Sequence, residues 1–304
     1  MTAEPANEMH QARNYNESYT GSHLDRIAFP LGGIGAGMIC FEGTGKLSHV
    51  SVRNKPDVLN EPRIFSALHL KDIEHGTRIL EGPIPDWKVL FPWGSLFSGS
   101  GSGGMGKDYG LPRFETARFR SRFPFGTVEL SDEYIPLSID ITGWSPFLPG
   151  DEDNSSLPVA ALEYSFHNTG NSRLEAIYSF NSVNFMATQS EEAAVRPAER
   201  GFVLWQAGTK EKPWEMGAFC VSTTDPEVRV NHAWFRGGWF DSLTMLWNEI
   251  RKGSMPERLA ITDGDASSGG SLFVPFVIEP GESKTIRVLL SWYVPFSSLR
   301  NGKG

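Results

Sequence analysis

The 304-residue chain sets 28 Lys and Arg against 36 Asp and Glu, a formal charge of −8, so a nucleic-acid backbone is on average repelled and no nucleic-acid partner is expected. Hydrophobic residues at 39% and charged residues at 21% make a globular balance, while 32 Gly and 20 Pro point to many turns rather than to disorder. No run approaches the roughly 18 apolar residues of a spanning helix, and Met1–Asp25 shows no apolar signal region, so no transmembrane segment and a cytoplasmic location are expected.

Residues 1–23 are polar and mixed in charge, and read as a flexible tail. The glycines from Gly32 to Gly37 invite a phosphate-loop reading, because closely spaced glycines let backbone N–H groups approach an anion. Their context argues against it. Gly33-Ile-Gly35-Ala-Gly37 is GxGxG rather than GxGxxG, follows no clear strand and opens no helix, so a tight loop at the entry of a β-domain is the expectation.

Short apolar or alternating runs then recur between Gly, Pro, Asn and Asp punctuation. Strands are predicted at Met38–Phe41, Ile64–Leu70, Phe125–Leu130, Ile135–Ile141, Val159–Phe166, Leu174–Phe180, Gly217–Ser222, Leu272–Ile278 and Ile286–Val294. The low-complexity stretch Gly94–Gly110 has little side chain to bury and much backbone entropy to lose, and is expected to be a mobile loop. Asn168-Thr-Gly-Asn171 and Glu279-Pro-Gly-Glu-Ser283 carry turn chemistry, which predicts antiparallel hairpins across them. One segment keeps the other period. Leu243, Leu246, Trp247 and Ile250 fall at i, i+3, i+4 and i+7, with Asp241 or Ser242 as N-cap and Gly253 as the stop, predicting a short amphipathic helix near 241–252. With no repeat or dividing linker, residues 24–295 read as one all-β domain, a large antiparallel β-sandwich of two packed sheets, followed by a tail at 296–304.

Chemistry-bearing motifs are scarce. Cys40 and Cys220 stand far apart without CxxC or Cys/His spacing, the seven histidines show no ligand pattern, and no nucleophile elbow or HExxH is present. Asp151-Glu-Asp-Asn154 offers clustered oxygens but not the alternating ligands of a calcium loop, so a solvated turn is expected. Adjacent carboxylates such as Asp132-Glu133 and Asp263-Gly-Asp265 fall in turns, where solvated charge is the ordinary explanation. No catalytic residue, metal ligand or cofactor is therefore nominated. Of nine tryptophans, Trp144, Trp205, Trp234, Trp239, Trp247 and Trp292 lie in or beside apolar runs and are expected to fill core. Trp87 and Trp93 lie in loop-like settings and are the candidates for contact with a sugar ligand or another domain.

Several ordered segments carry a resemblance: Phe29-Pro-Leu-Gly-Gly-Ile-Gly-Ala-Gly37, Arg122-Phe-Pro-Phe-Gly-Thr-Val128, Trp144-Ser-Pro-Phe-Leu-Pro-Gly-Asp-Glu-Asp-Asn-Ser-Ser-Leu-Pro158, Val230-Asn-His-Ala-Trp-Phe235, Arg236-Gly-Gly-Trp-Phe-Asp241 and Leu290-Ser-Trp-Tyr293. From Leu24 to Pro295 the chain resembles the N-terminal domain of glycoside hydrolase family 116, the non-lysosomal glucosylceramidase and β-glucosidase family. The resemblance implies a β-sandwich followed by an (α/α)6 helical barrel that holds the two catalytic carboxylates of a retaining enzyme, and a glucoside or glycolipid substrate for the complete protein. It implies that this segment is inactive by itself and packs against the barrel, exposing an apolar face when alone. A free-standing carbohydrate-binding module is the alternative.

Overall fold

The computed structural model describes residues 15–89, 108–188, 192–237 and 241–299. Sixteen strands run as β1 (Ala28–Leu31), β2 (Met38–Glu42), β3 (Leu47–Ser51), β4 (Ile64–Leu70), β5 (Thr77–Ile79), β6 (Thr116–Arg122), β7 (Phe125–Ser131), β8 (Leu137–Trp144), β9 (Val159–Asn168), β10 (Leu174–Val183), β11 (Ala193–Ala198), β12 (Gly201–Gln206), β13 (Gly217–Thr223), β14 (Arg229–Asn231), β15 (Gly269–Ile278) and β16 (Ser283–Tyr293). They form three antiparallel sheets rather than the two expected: β1-β2-β3, β14-β15-β10-β4-β5, and the eight-stranded β11-β12-β13-β16-β9-β8-β7-β6. The two smaller sheets share one face of the large one. Gly143 of β8 lies under Leu31 and Phe41 of the three-stranded sheet, while Phe166 of β9 packs on Tyr178 and Phe276 of the five-stranded sheet at ring distances of 6.2 and 5.0 Å.

All nine predicted strands are present, but the two turn motifs do not make hairpins. Asn168–Asn171 carries the chain from β9 in the large sheet to β10 in the five-stranded sheet, and Glu279–Ser283 carries it back from β15 to β16. Each is an arch between layers. Turn chemistry reports a reversal and says nothing about whether the flanking strands share hydrogen bonds. The two arches lie against each other, because β9 pairs with β16 and β10 with β15. Asn168, 1% exposed, pins them: its Nδ2 donates to Ser172 O and Ile278 O at 2.8 and 3.1 Å, its Oδ1 accepts from Gly170 N, and its carbonyl accepts from Gly281 N. Farther in, Ser66 of β4 bonds the hydroxyls of Tyr164 and Tyr178 at 2.9 and 3.0 Å, crossing the layers. Burial pushes the Tyr164 phenol up to about 12 and Tyr178 well above its ordinary value, so this polar knot stays neutral at physiological pH.

Of the seven strands missed, β3 and the inner strand β12 were overlooked, and the other five lie at sheet edges. β5 and β14 have three residues each, β1 and β11 contain Pro30 and Pro197, and the edge strand β6 buries Phe119 alone among seven residues. Within the expected N-terminal tail, Tyr19 exchanges backbone hydrogen bonds with Phe119 on β6, and residues 21–24 form a 3₁₀ turn. Gly94–Gly110, expected to be mobile, lies largely outside the described residues.

Three short helices complete the described structure: α1 (Asp86–Val89), α2 (Glu152–Ser155) and α3 (Ser242–Arg251). In α3 the Asp241 carboxylate caps Thr244 N at 2.9 Å, and Gly253 takes φ +65° just past the end. Its stripe of Leu243, Leu246 and Ile250 covers Phe65, Ala67, Ile79 and Phe273 on the outer face of the five-stranded sheet. The predicted helix is thus core to a second hydrophobic layer. Replacing Asn168 with Ala leaves buried backbone groups of both arches unpaired, and is expected to lower unfolding free energy by about 2–3 kcal/mol in urea titrations, with the m-value unchanged.

Candidate functional site

Four of the six segments that carried the family resemblance, those at 29–37, 122–128, 144–158 and 290–293, meet at one end of the sandwich. The loop from β1 to β2 takes φ of +134°, +74° and +94° at Gly32, Gly35 and Gly37. A Cβ at Gly32 would stand 2.6 Å from Gly37 O and 2.9 Å from the Trp292 ring, and one at Gly33 would overlap the Leu157 carbonyl. The glycines therefore serve close backbone approach, here to protein rather than to phosphate. Contrary to expectation a strand, β1, does precede the loop; no helix follows it. Ile34 N donates to Ser155 O at 2.8 Å, and Trp292 Nε1 donates to Ala36 O at 2.6 Å, so the loop is fixed to both the 145–158 segment and β16. That segment is itself ordered: Asp151 caps α2 by accepting from Asn154 N at 3.0 Å.

These parts enclose a cleft of about 730 Å³, walled by Pro30, Gly33, Ile34, Phe123, Pro124 and Phe147, with Ser297 and Leu299 of the departing chain at its mouth. The Phe123–Pro124 peptide, at the β6–β7 turn, is cis. Phe123 and Phe147 meet edge to face at 4.9 Å yet remain 65% and 40% exposed. Ile34, Leu148, Leu157, Tyr293 and Phe296 are exposed as well. Asn54 Nδ2 donates to Val294 O and Phe296 O at 3.3 and 3.2 Å, holding the chain beyond β16 against this rim.

Sheet register extends the apolar surface. On the outer face of the large sheet, Phe125, Trp144, Ala161 and Leu289 stand in one row, cross-strand neighbours in turn, and Tyr293 lies four residues along β16 on the same face. The adjacent row is Arg120, Thr127, Thr142, Glu163 and Arg287, and the next contains Arg118, Glu129, Asp140, Ser165 and Thr285. Those rows are satisfied as a solvated face, with Arg287–Glu163 at 2.7 Å, Arg120–Glu129 at 3.2 Å and Thr127–Thr142 at 3.1 Å. Chemistry switches from polar to apolar at the end where β16 leaves. In the apolar row Phe125 and Leu289 are exposed, Trp144 is half-buried and Ala161 is covered, and exposed apolar side chains grouped beside a cleft are the usual surface of an interaction site.

A second cluster is charged and buried. Lys46 Nζ lies 3.0 Å from Asp108 and 3.8 Å from Glu81, and Arg113 approaches Glu81 and Asp108 at 3.4 and 3.6 Å. Burial raises the Asp108 carboxyl, but Lys46 and Arg113 outweigh it and hold the group below the ordinary range. For Glu81 burial wins, helped by the Asp108 and Glu42 charges, and its carboxyl is raised. No group of three or more metal-ligating side chains occurs among the described residues.

Of the residues singled out from sequence, Trp87 lies on α1, 39% exposed, with Nε1 donating to Asp25 O at 3.0 Å and with Arg26 and Lys88 within 5.7 and 5.5 Å of its ring. Trp93 lies outside the described residues, as does Trp239. Among the described residues, Trp234 and Trp292 of the expected core tryptophans are buried, and Trp144, Trp205 and Trp247 are half-buried, Trp205 beneath the Arg196 guanidinium at 4.2 Å. Asp132 is not the solvated turn carboxylate expected, since it is buried and 3.2 Å from Arg78 Nε. The apolar end is a site that the tryptophan nominations did not include, and its signal in the sequence was the three proline- and glycine-rich landmark segments.

The sheets define the chain as an all-β sandwich domain. The family model described as beta-glucosidase 2, glycosyl-hydrolase family 116 N-term matches residues 28–304, and the chain belongs to that family. No curated protein matches the chain. Among solved structures it is similar to a putative kojibiose phosphorylase from the human microbiome, at 8% identity and TM-score 0.40 over 91% of this chain and 25% of that one. A polysaccharide lyase is similar at 10% identity and TM-score 0.31, over 93% of this chain and 34% of that one. The chain thus spans about a quarter to a third of the length of these proteins.

Two outcomes follow from this geometry. Gly33→Ala is expected to cost at least about 2 kcal/mol in thermal or urea unfolding, because backbone rather than a movable side chain occupies the Cβ position. Glu81→Gln tests the buried charge. A carboxyl with a raised folded pKa stabilises most below its ordinary value near 4.5 and loses that contribution as pH rises through the folded pKa. Wild-type stability relative to Glu81→Gln is therefore expected to fall as pH rises above the ordinary carboxyl value near 4.5, as measured by denaturant unfolding.

Proposed function

We propose that residues 24–295 are the non-catalytic N-terminal β-sandwich domain of a retaining family 116 hydrolase of β-glucosidase or glucosylceramidase type, acting in the cytoplasm on a glucoside or glycolipid. The two carboxylates that such cleavage needs belong, in this reading, to a helical (α/α)6 domain of the same protein. The sandwich docks on that domain and holds its loops in working geometry, a contribution of position rather than of reacting groups.

The observation that carries the reading is the apolar end. Phe123, Phe125, Phe147, Leu148, Leu157 and Tyr293 are exposed around a cleft beside which β16 leaves the sheet, and Asn54 ties the departing backbone to the same rim. A domain joined at Val294 would be delivered to this surface. Trp87, through the exposed part of its ring, is kept as a proposed peripheral contact with ligand or domain. No helix of the described residues is long and apolar enough to cross a membrane.

The test uses the chain and a separately produced helical domain of the same protein. The pair is expected to associate, and Phe123→Glu with Phe147→Glu to weaken association at least about a hundredfold, since buried aromatic anchors dominate such interfaces. The unfolding midpoint of the chain should hardly move, because exposed positions change stability by about 0.5 kcal/mol or less. Equal binding by the variant would remove this surface from the account. Saturable glucoside binding by the chain alone, read by tryptophan fluorescence, would favour a free-standing binding module instead.

A further inference from the structure

Residues 90–107 connect two stretches of chain that meet at one buried carboxylate. Glu61 Oε1 accepts from Lys88 Nζ at 3.3 Å on the preceding side and from Tyr109 OH at 2.8 Å on the following side. Lys88 also reaches Glu42 of β2 at 2.6 Å, and it is 1% exposed, an extreme burial for a lysine. Behind them stand Lys46 from the β2–β3 turn, Glu81 from beyond β5, and Asp108 and Arg113 from the returning chain, with half-buried Arg63 close enough to Asp108 to feel its charge. Three buried cations, Lys46, Lys88 and Arg113, thus face four carboxylates, Glu42, Glu61, Glu81 and Asp108, drawn from both flanks and from the sheet edge.

We propose that this cluster is an acid-releasable clasp: Glu61, through Lys88 and Tyr109, locks the two flanks of residues 90–107 to each other and to the sheet edge, so that they open as one unit before the sandwich does.

The elements involved favour local opening. α1 has four residues, β5 is a three-residue edge strand, and the returning chain is attached by Phe114 N to Glu81 O and Ile79 N to Pro112 O. Regions with so few ladder bonds open at a small fraction of the global free energy. Ion pairs out of water are held by their partners, and removing one partner leaves the other charge stranded. Protonation of Asp108 takes that partner from Lys46 and Arg113 together, so opening is driven by acid. Asp108 sets the lower end: its carboxyl is held below the ordinary range, so its contribution is complete above about pH 4 and lost as pH falls through the depressed value. Glu81 works in the opposite sense, being raised by burial, and favours the closed form while protonated. The phenol of Tyr109 is raised by burial and by Glu61, so it remains a hydrogen-bond donor throughout. The clasp is separate from the apolar end, and does not depend on the proposed docking.

Hydrogen exchange of the chain, read on peptides covering 83–88 and 108–114 with β9 and β16 as internal reference, tests it. At pH 7, Glu61→Gln is expected to speed exchange in both flanks together by roughly tenfold or more, with the reference strands unchanged. In the wild type the same two flanks should keep their protection down to about pH 4 and lose it together as pH falls further, after correction for intrinsic exchange. Tyr109→Phe, which removes one hydroxyl without changing charge, provides a variant that folds if Glu61→Gln does not, and it too should loosen both flanks. Exchange rising in one flank only, in neither, or equally in β9 and β16 would overturn the clasp.

Discussion

The pairing of two arches between layers is the constraint on which the rest of this molecule depends. Strands β9 and β16 belong to the eight-stranded sheet, β10 and β15 to the facing one, and the turns that join them are tied together by a single buried Asn168. An arch forces successive strands into opposite sheets, so the side chains inside it must fill the gap between them. Phe166, Tyr164, Tyr178 and Phe276 do so, and the Ser66 hydroxyl satisfies the phenols that enter with them. From this centre the large sheet extends through β8, β7 and β6 on one side and β13, β12 and β11 on the other. β16, fixed at the arch end by Glu279–Ser283, delivers Trp292 and Tyr293 to the far end.

At that far end the same strand does two things by alternation. Trp292 points inward and buttresses the Gly32–Gly37 loop, and Tyr293 points outward into the apolar row with Leu289. A rigid sheet thereby sets the spacing of the exposed aromatics, and a loop packed backbone to backbone sets the walls of the cleft. Such preorganisation lowers the ordering cost of association. The polar rows alongside, with their Arg–Glu pairs and facing hydroxyls, keep the remainder of the sheet at ease with water, so the apolar row stands out as the part needing a cover.

Much of this was legible in the sequence, and the limits were physical. Strands with long apolar alternation, such as Leu174–Val183 and Ser283–Tyr293, announced themselves, as did α3 through Leu243, Leu246 and Ile250 with its Asp241 cap. Edge strands did not: Thr116–Arg122 buries one ring and exposes arginines that pair with Glu129, a pattern that reads as loop. Partner choice was equally hidden, because Asn168-Thr-Gly-Asn171 specifies a reversal and the layer crossing is set by distant pairing with β16. The apolar end was signalled only by the clustering of landmark segments, since Phe123, Phe147 and Leu289 look like core in isolation and become surface only through register. Lys46, Lys88 and Asp108, polar residues in turn-rich contexts, gave no sign that they would be buried together.

The central claim is that an ordered sandwich presents a preformed apolar end for another domain of a family 116 enzyme to cover. Calorimetric titration of the chain with the helical domain at several temperatures tests it most directly, because removing apolar surface from water gives a negative heat-capacity change. The account predicts binding whose enthalpy becomes steadily more negative with rising temperature. An enthalpy flat with temperature, or the absence of any association, would contradict it.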